Sequence, residues 1–152
     1  GTLDPHACSL LHRGIKTLTV RVERQNQTAM HLASHLSRHP KIASVNYPGL
    51  EQHSSFASAK KYFNGFGGMI SFELKNPQGA SAFFKHLRLP IHAPSLGGVE
   101  SLVILPAKSS HASLSADERR QSGISDGLVR FSVGLEDAKD LTEDLDQALN
   151  KI

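Results

Sequence analysis

Apolar residues fall into two rhythms along this chain. From Ile15 they recur at Leu18, Val22, Ala29, Leu32, Ala33 and Leu36, the three-and-four spacing of one helix face. Ahead of them, Asp4-Pro5 reads as a helix start with proline at the first helical position; a short helix runs to Arg13, where Gly14 interrupts it. The long helix ends before Pro40, because a residue preceding proline is pushed out of helical backbone. Residues 42–47 alternate weakly as a first strand and stop at Pro48-Gly49. A polar stretch, 53–63, reads as a short helix or helical turn. A glycine-rich loop, 65–68, then feeds a strand over 69–74, where Ile70, Phe72 and Leu74 alternate. Asn76-Pro77 caps a helix whose buried stripe is Ala80, Phe83, Phe84 and Leu87. A short extended piece, 91–93, precedes Ser95-Leu96-Gly97-Gly98 and a strand over 100–105. Residues 108–114 read as a polar loop, and Ser115 through Glu118 as a capped helix start.

The clearest rhythm comes last. Val129, Phe131 and Val133 alternate with Arg130 and Ser132, the period of a strand with one buried face. Gly134 breaks it, Glu136 and Asp137 put negative charge at the start of a helix, and Ala138, Leu141, Leu145, Ala148, Leu149 and Ile152 continue at helical spacing. Helices thus alternate with short strands. The expected fold is a two-layer α/β sandwich: a small, mostly antiparallel sheet, helices on one face and a long N-terminal helix. Residues 1–40 are read as a linking helical region and 41–152 as the α/β domain.

At 152 residues the chain is long enough to bury a core without disulfides, and its single cysteine, Cys8, excludes an internal one and fits a reducing compartment. No apolar run is long enough to span a bilayer, so a membrane role is not expected. The net charge of +3 is scattered rather than blocked, which argues against nucleic acid. The expected location is cytoplasmic, any targeting segment lying outside this chain.

Several residues invite chemistry. Arg130 is either a solvated strand arginine, one paired with a neighbour such as Asp126, or a fork for a carboxylate or phosphate. Ser95-Leu96-Gly97-Gly98 is either an ordinary loop or a bend that brings backbone close to a ligand; it lacks the Lys-Ser/Thr ending of a phosphate loop. His31 and His35 stand one helical turn apart, but no third ligand converges, so a solvated face is favoured over a metal site. Ser110 beside His111 lacks a nucleophile elbow.

Taken in order, Arg13 to Leu18, Tyr47-Pro48-Gly49-Leu50, Phe66-Gly67-Gly68-Met69, Ser95 to Leu102 and Leu128 to Asp137 resemble the C-terminal region of the Cys/Met-metabolism, pyridoxal-phosphate-dependent family. Cystathionine gamma-synthase, cystathionine gamma-lyase and methionine gamma-lyase are members of it. The resemblance implies the small domain of a fold-type I enzyme of trans-sulfuration acting on a sulfur-containing amino acid. It implies that pyridoxal phosphate and its Schiff-base lysine belong to a domain upstream of Gly1, so that this chain holds no catalytic lysine and is inactive alone. It implies substrate-binding roles for Arg130, on the α-carboxylate, for Ser95 and for Ser110, and a homotetrameric full-length enzyme. A methionine gamma-lyase or O-acetylhomoserine sulfhydrylase activity is the nearest alternative. A free-standing amino-acid-binding or assembly module is one of another class, and a metal-dependent hydrolase using His31, His35 and His111 a third. One departure stands out: Pro94 occupies a position where many relatives carry glutamate, which leaves the reaction type open.

Overall fold

The computed structural model describes residues 1–152. Five strands, β1 (Ile42–Asn46), β2 (Met69–Leu74), β3 (Ile91–His92), β4 (Leu102–Ile104) and β5 (Leu128–Ser132), form one sheet in the order β1-β2-β5-β4-β3. The first three pairings in that order are antiparallel and only β3 with β4 is parallel. The strand with the cleanest alternation, β5, is therefore the central one.

Six helices accompany the sheet: α1 (Pro5–Ile15), α2 (Leu18–Leu36), α3 (Phe56–Tyr62), α4 (Ala80–His86), α5 (Ala116–Gln121) and α6 (Ala138–Leu149). Ala29, Leu32, Ala33 and Leu36 of α2, Ala80 and Phe83 of α4, and Leu141, Leu145, Ala148 and Leu149 of α6 join the buried strand residues in one core. The strand contribution is Ile42 from β1, Ile70, Phe72 and Leu74 from β2, Val129 and Phe131 from β5, and Val103 from β4. Phe72 and Phe83 meet edge to face, with centroids 6.1 Å apart, a geometry worth about 0.5–1.5 kcal/mol beyond burial. The two-layer α/β arrangement read from the sequence is the one observed.

The helix boundaries differ in instructive ways. Gly14 does not interrupt the first helix; it lies inside α1, and the break falls at Lys16–Thr17. Arg21 reaches back to hold that break, donating from Nη2 to the Gly14 carbonyl at 2.9 Å and from Nε to Thr17 Oγ1 at 3.3 Å. A lone glycine costs a helix only about 1 kcal/mol, too little to end it. Asn76 does not cap α4 with its side chain; a 3-10 turn, Pro77–Gly79, intervenes. Asp137 caps α6, accepting from the Lys139 amide, while Glu136 lies before the helix and serves elsewhere. The capping box at Ser115 and Glu118 forms as expected.

No residue of α1 is buried, and Leu10, Leu11, Ile15, Leu18, Val20 and Val22 are all exposed. No helix is long and apolar enough to cross a membrane.

Tyr47 is sealed beneath the 65–68 loop and donates its hydroxyl to the Gly67 carbonyl at 2.9 Å. Burial pushes its phenol up to about 12 from the ordinary 10.0. A pKa raised by folding contributes stability that is complete below the unfolded value and lost as pH rises through the folded one. The urea midpoint is therefore expected to fall between pH 10 and 12. Tyr47→Phe should flatten that fall; an unchanged slope would show that another group causes it.

Candidate functional site

The face of the sheet opposite the helices carries the side chains that alternate with the core. Opposite residues of an antiparallel pair share a face, so Ser71, Arg130 and Ile104 form one row across β2, β5 and β4, and Met69, Ser132 and Leu102 form the next. This face is not bare. Ser132, Leu102 and Ile104 are buried because the segment between β3 and β4 folds back across it.

Hydrogen bonds from separate parts of the chain hold that segment. Arg130 Nη2 donates to the Pro94 carbonyl at 2.5 Å and to the Ser95 carbonyl at 3.3 Å. Two residues on, Ser132 Oγ accepts from the Gly97 amide at 3.1 Å. Gly97 has φ +76°, a left-handed conformation that glycine adopts without strain. From α2, the nearly buried Gln25 donates Nε2 to the Gly98 carbonyl at 2.7 Å. The Leu135 amide donates to the Val99 carbonyl at 2.8 Å.

The end of the segment is fastened by a carboxylate. Ser101, fully buried, donates its amide to Glu136 Oε1 and its hydroxyl to Glu136 Oε2, both at 2.7 Å. The same hydroxyl accepts from the Gly134 amide at 2.9 Å. Gly134 has to be glycine: a Cβ there would stand 2.5 Å from Ser101 N and from the Glu100 carbonyl carbon. Glu136→Ala leaves two buried donors of Ser101 without acceptors, at about 1–3 kcal/mol for an unsatisfied buried group. Urea unfolding should register that loss, and the Ser101 amide should exchange faster; unchanged stability would mean that water replaces the carboxylate fully.

Arg130 makes no salt bridge. Asp126, its alternative partner by sequence, pairs with Arg119 at 3.1 Å. Only Nη2 is used by the turn, which leaves Nη1 and Nε as unengaged charged donors. A guanidinium with one arm on backbone and two donors to spare is suited to a carboxylate or phosphate.

The three expected substrate-binding residues are thus placed unequally. Arg130 and Ser95 come together through a hydrogen bond, and Ser95 is exposed beside the guanidinium. Ser110 follows the 3-10 turn Pro106–Lys108 that leaves β4; it is exposed and its hydroxyl lies 2.9 Å from His111 Nδ1, without contact to Arg130 or Ser95. Gln25, Ser101, Ser132 and Glu136 are the residues that sequence reasoning missed. Ser132 had a signal, being two residues from Arg130 on the same strand face. Gln25 had none, since its partner lies 73 residues away.

The histidines form no metal set; no three His, Cys, Asp or Glu side chains converge. His35 Nε2 instead contacts Asp146 Oδ1 at 2.7 Å, with His39 Nε2 3.9 Å from the same oxygen. Burial, opposed by Asp146, lowers the His39 pKa.

Comparison with known proteins locates this architecture. The profile of the Cys/Met metabolism PLP-dependent enzymes matches residues 1–150. The cystathionine gamma-lyase of Bacillus subtilis is 47% identical over 152 residues, which is all of this chain and 40% of that protein. The chloroplastic cystathionine gamma-synthase 1 of Nicotiana tabacum is 48% identical over 153 residues, all of this chain and 28% of that protein. The L-methionine gamma-lyase of Fusobacterium nucleatum is 43% identical over 99% of this chain and 38% of its own. The chain therefore spans well under half the length of these relatives.

Proposed function

This chain belongs to the Cys/Met metabolism PLP-dependent enzyme family, and from that premise we propose that it forms the substrate-recognising part of a trans-sulfuration enzyme of cystathionine gamma-synthase or gamma-lyase type. The observation that carries the reading is Arg130: a strand-mounted guanidinium with no acidic partner, steadied on the turn carbonyls and keeping two donors for an α-carboxylate. Ser95 borders the same position; Ser110, bonded to His111 in the loop after β4, is assigned to the substrate by the family resemblance alone.

The family depends on pyridoxal phosphate, which supplies the electron sink for bonds at the amino acid's α-carbon. The residues present do not fit the cofactor's Schiff base. Lys41 Nζ donates to the Leu149 and Ile152 carbonyls, Lys108 to Ser81, and Lys139 faces Glu143. Lys60 and Lys61 lie over aromatic rings, and Lys16, Lys75, Lys85 and Lys151 are exposed. None is presented as a free amine in an apolar pocket, the setting such chemistry needs. In this reading the cofactor's lysine lies elsewhere in the enzyme, and these 152 residues orient the substrate.

The apolar stripe left open on α1 and the first turns of α2 supports assigning residues 1–40 as the link to that cofactor-bearing part, with 41–152 as the α/β domain. A homotetramer is the proposed assembly. The lone, unpaired Cys8 fits a reducing compartment, here taken as cytoplasmic. The test is turnover by the cofactor-loaded enzyme that contains this chain. Keto acid released from L-cystathionine, or cystathionine formed from cysteine and an activated homoserine, is the expected result. Turnover of L-methionine alone would favour the methionine gamma-lyase type, and no turnover of any of them would overturn the reading.

A further inference from the structure

The middle of the 94–98 turn has no side chains with which to hold itself. Gly97 and Gly98 lack a Cβ, so this stretch has more backbone freedom to lose than any other pair would have. Two side chains supply what the glycines lack. Ser132 Oγ accepts from the Gly97 amide at 3.1 Å, and Gln25 Nε2 donates to the Gly98 carbonyl at 2.7 Å. Ser132 stands on β5, the strand that carries Arg130. Gln25 comes from α2, and no backbone amide donates to the Gly98 carbonyl in its place.

The seat of Gln25 is closely built. The residue is 8% exposed, and a Cβ on Gly68 would stand only 3.2 Å from its own Cβ. Its amide therefore has little room to swing away. The preceding residue, Arg24, pairs with Asp137 at 3.3 Å, which ties α2 to the start of α6 beside Glu136, the clamp on Ser101. Glu100 is the carboxylate nearest the carbonyl: a Cβ on Gly98 would lie 2.6 Å from its Oε1. A few residues before Gly98 are the Pro94 and Ser95 carbonyls, on which Arg130 Nη2 rests. Freeing Gly98 loosens those carbonyls, and the guanidinium loses its brace with them.

We propose that Gln25 is a positioning residue of the substrate site: by holding the Gly98 carbonyl it steadies the two carbonyls under Arg130 Nη2, and so sets the angle at which Nη1 and Nε meet an α-carboxylate. The proposal rests on the reading of Arg130 as the α-carboxylate clamp and extends that site to a side chain of α2 that acts only through backbone.

The test is steady-state kinetics of the cofactor-loaded enzyme containing this chain, on whichever substrate it turns over, L-cystathionine or the activated homoserine. Gln25→Met keeps the length of the side chain and removes the donor. Its KM should rise about threefold or more, the loss of one hydrogen bond, with kcat near that of the parent. Gln25→Glu discriminates further. As a carboxylate it opposes the Gly98 carbonyl and Glu100; once protonated it donates again. Its KM, divided by the parent's at each pH, should be high at about pH 8.5 and fall back toward one near pH 6. The same ratio for Gln25→Met should stay flat. In an Arg130→Lys background Gln25→Met should add less than about twofold, because the two residues act through one contact. Lowered thermal midpoints with unchanged KM, a Gln25→Glu ratio indifferent to pH, or full additivity with Arg130→Lys would each overturn the proposal. If Arg130→Lys itself leaves KM unmoved, the clamp reading fails; if it raises KM and Gln25→Met does not, only the role of Gln25 fails.

Discussion

Arg130→Lys is expected to raise KM for the amino-acid substrate more than tenfold in the cofactor-loaded enzyme that carries this chain. In the proposed role the guanidinium has two tasks that one ammonium cannot share. Nη2 braces the Pro94 and Ser95 carbonyls, while Nη1 and Nε remain for the ligand. A lysine nitrogen placed on the carbonyls leaves the carboxylate; placed on the carboxylate it releases the turn. Hydrogen bonds to charged groups contribute about 1.5–3 kcal/mol, and tenfold in affinity corresponds to about 1.4 kcal/mol. The loss should come with a thermal midpoint close to that of the parent, because Arg130 is outside the core. A KM within twofold of the parent would remove Arg130 from substrate binding.

Phe131→Ala is expected to be the most costly single truncation for stability. Phe131 is 1% exposed on the central strand, opposite Ile70 on one side and Val103 on the other. Truncating a fully buried phenylalanine costs about 3–5 kcal/mol through lost transfer energy and the cavity left behind. For a chain of this size that is roughly 6–20 °C in the melting temperature. The effect should extend to the turn, since Arg130 and Ser132, its neighbours along the strand, are the residues that grip residues 94–97. Calorimetry reads the first consequence and exchange of the Gly97 amide the second. A loss below 1 kcal/mol would mean that β5 is not the strand around which the core closes.

The parts of this molecule that could be read from the sequence are those governed by local rhythm. The alternation in β2 and β5, the apolar face of α2 from Ala29 to Leu36 and the Ser115–Glu118 capping box all follow from neighbours within a few residues. The outward direction of Arg130 is of that kind too. What the chain order hides is the fastening of the turn: Glu136 looked like charge at a helix start but is committed to Ser101, 35 residues earlier. Gln25, a polar position on α2, is spent on Gly98, 73 residues away. The helix break falls at Lys16–Thr17 and not at Gly14 for a similar reason: a side chain further along the chain, Arg21, stabilises it. Periodicity reports which face is buried; it carries no information on which polar group on the other face finds a distant partner.

The anchors of the bend lie 73 residues before it and about 35 after it in the chain. Loops that long are slow to close, so the bend acquires its shape only once residues 130–136 have docked beside it. Pulse-labelling during refolding should find the amides of Gly97 and Ser101 among the last to be protected, well after those of α2.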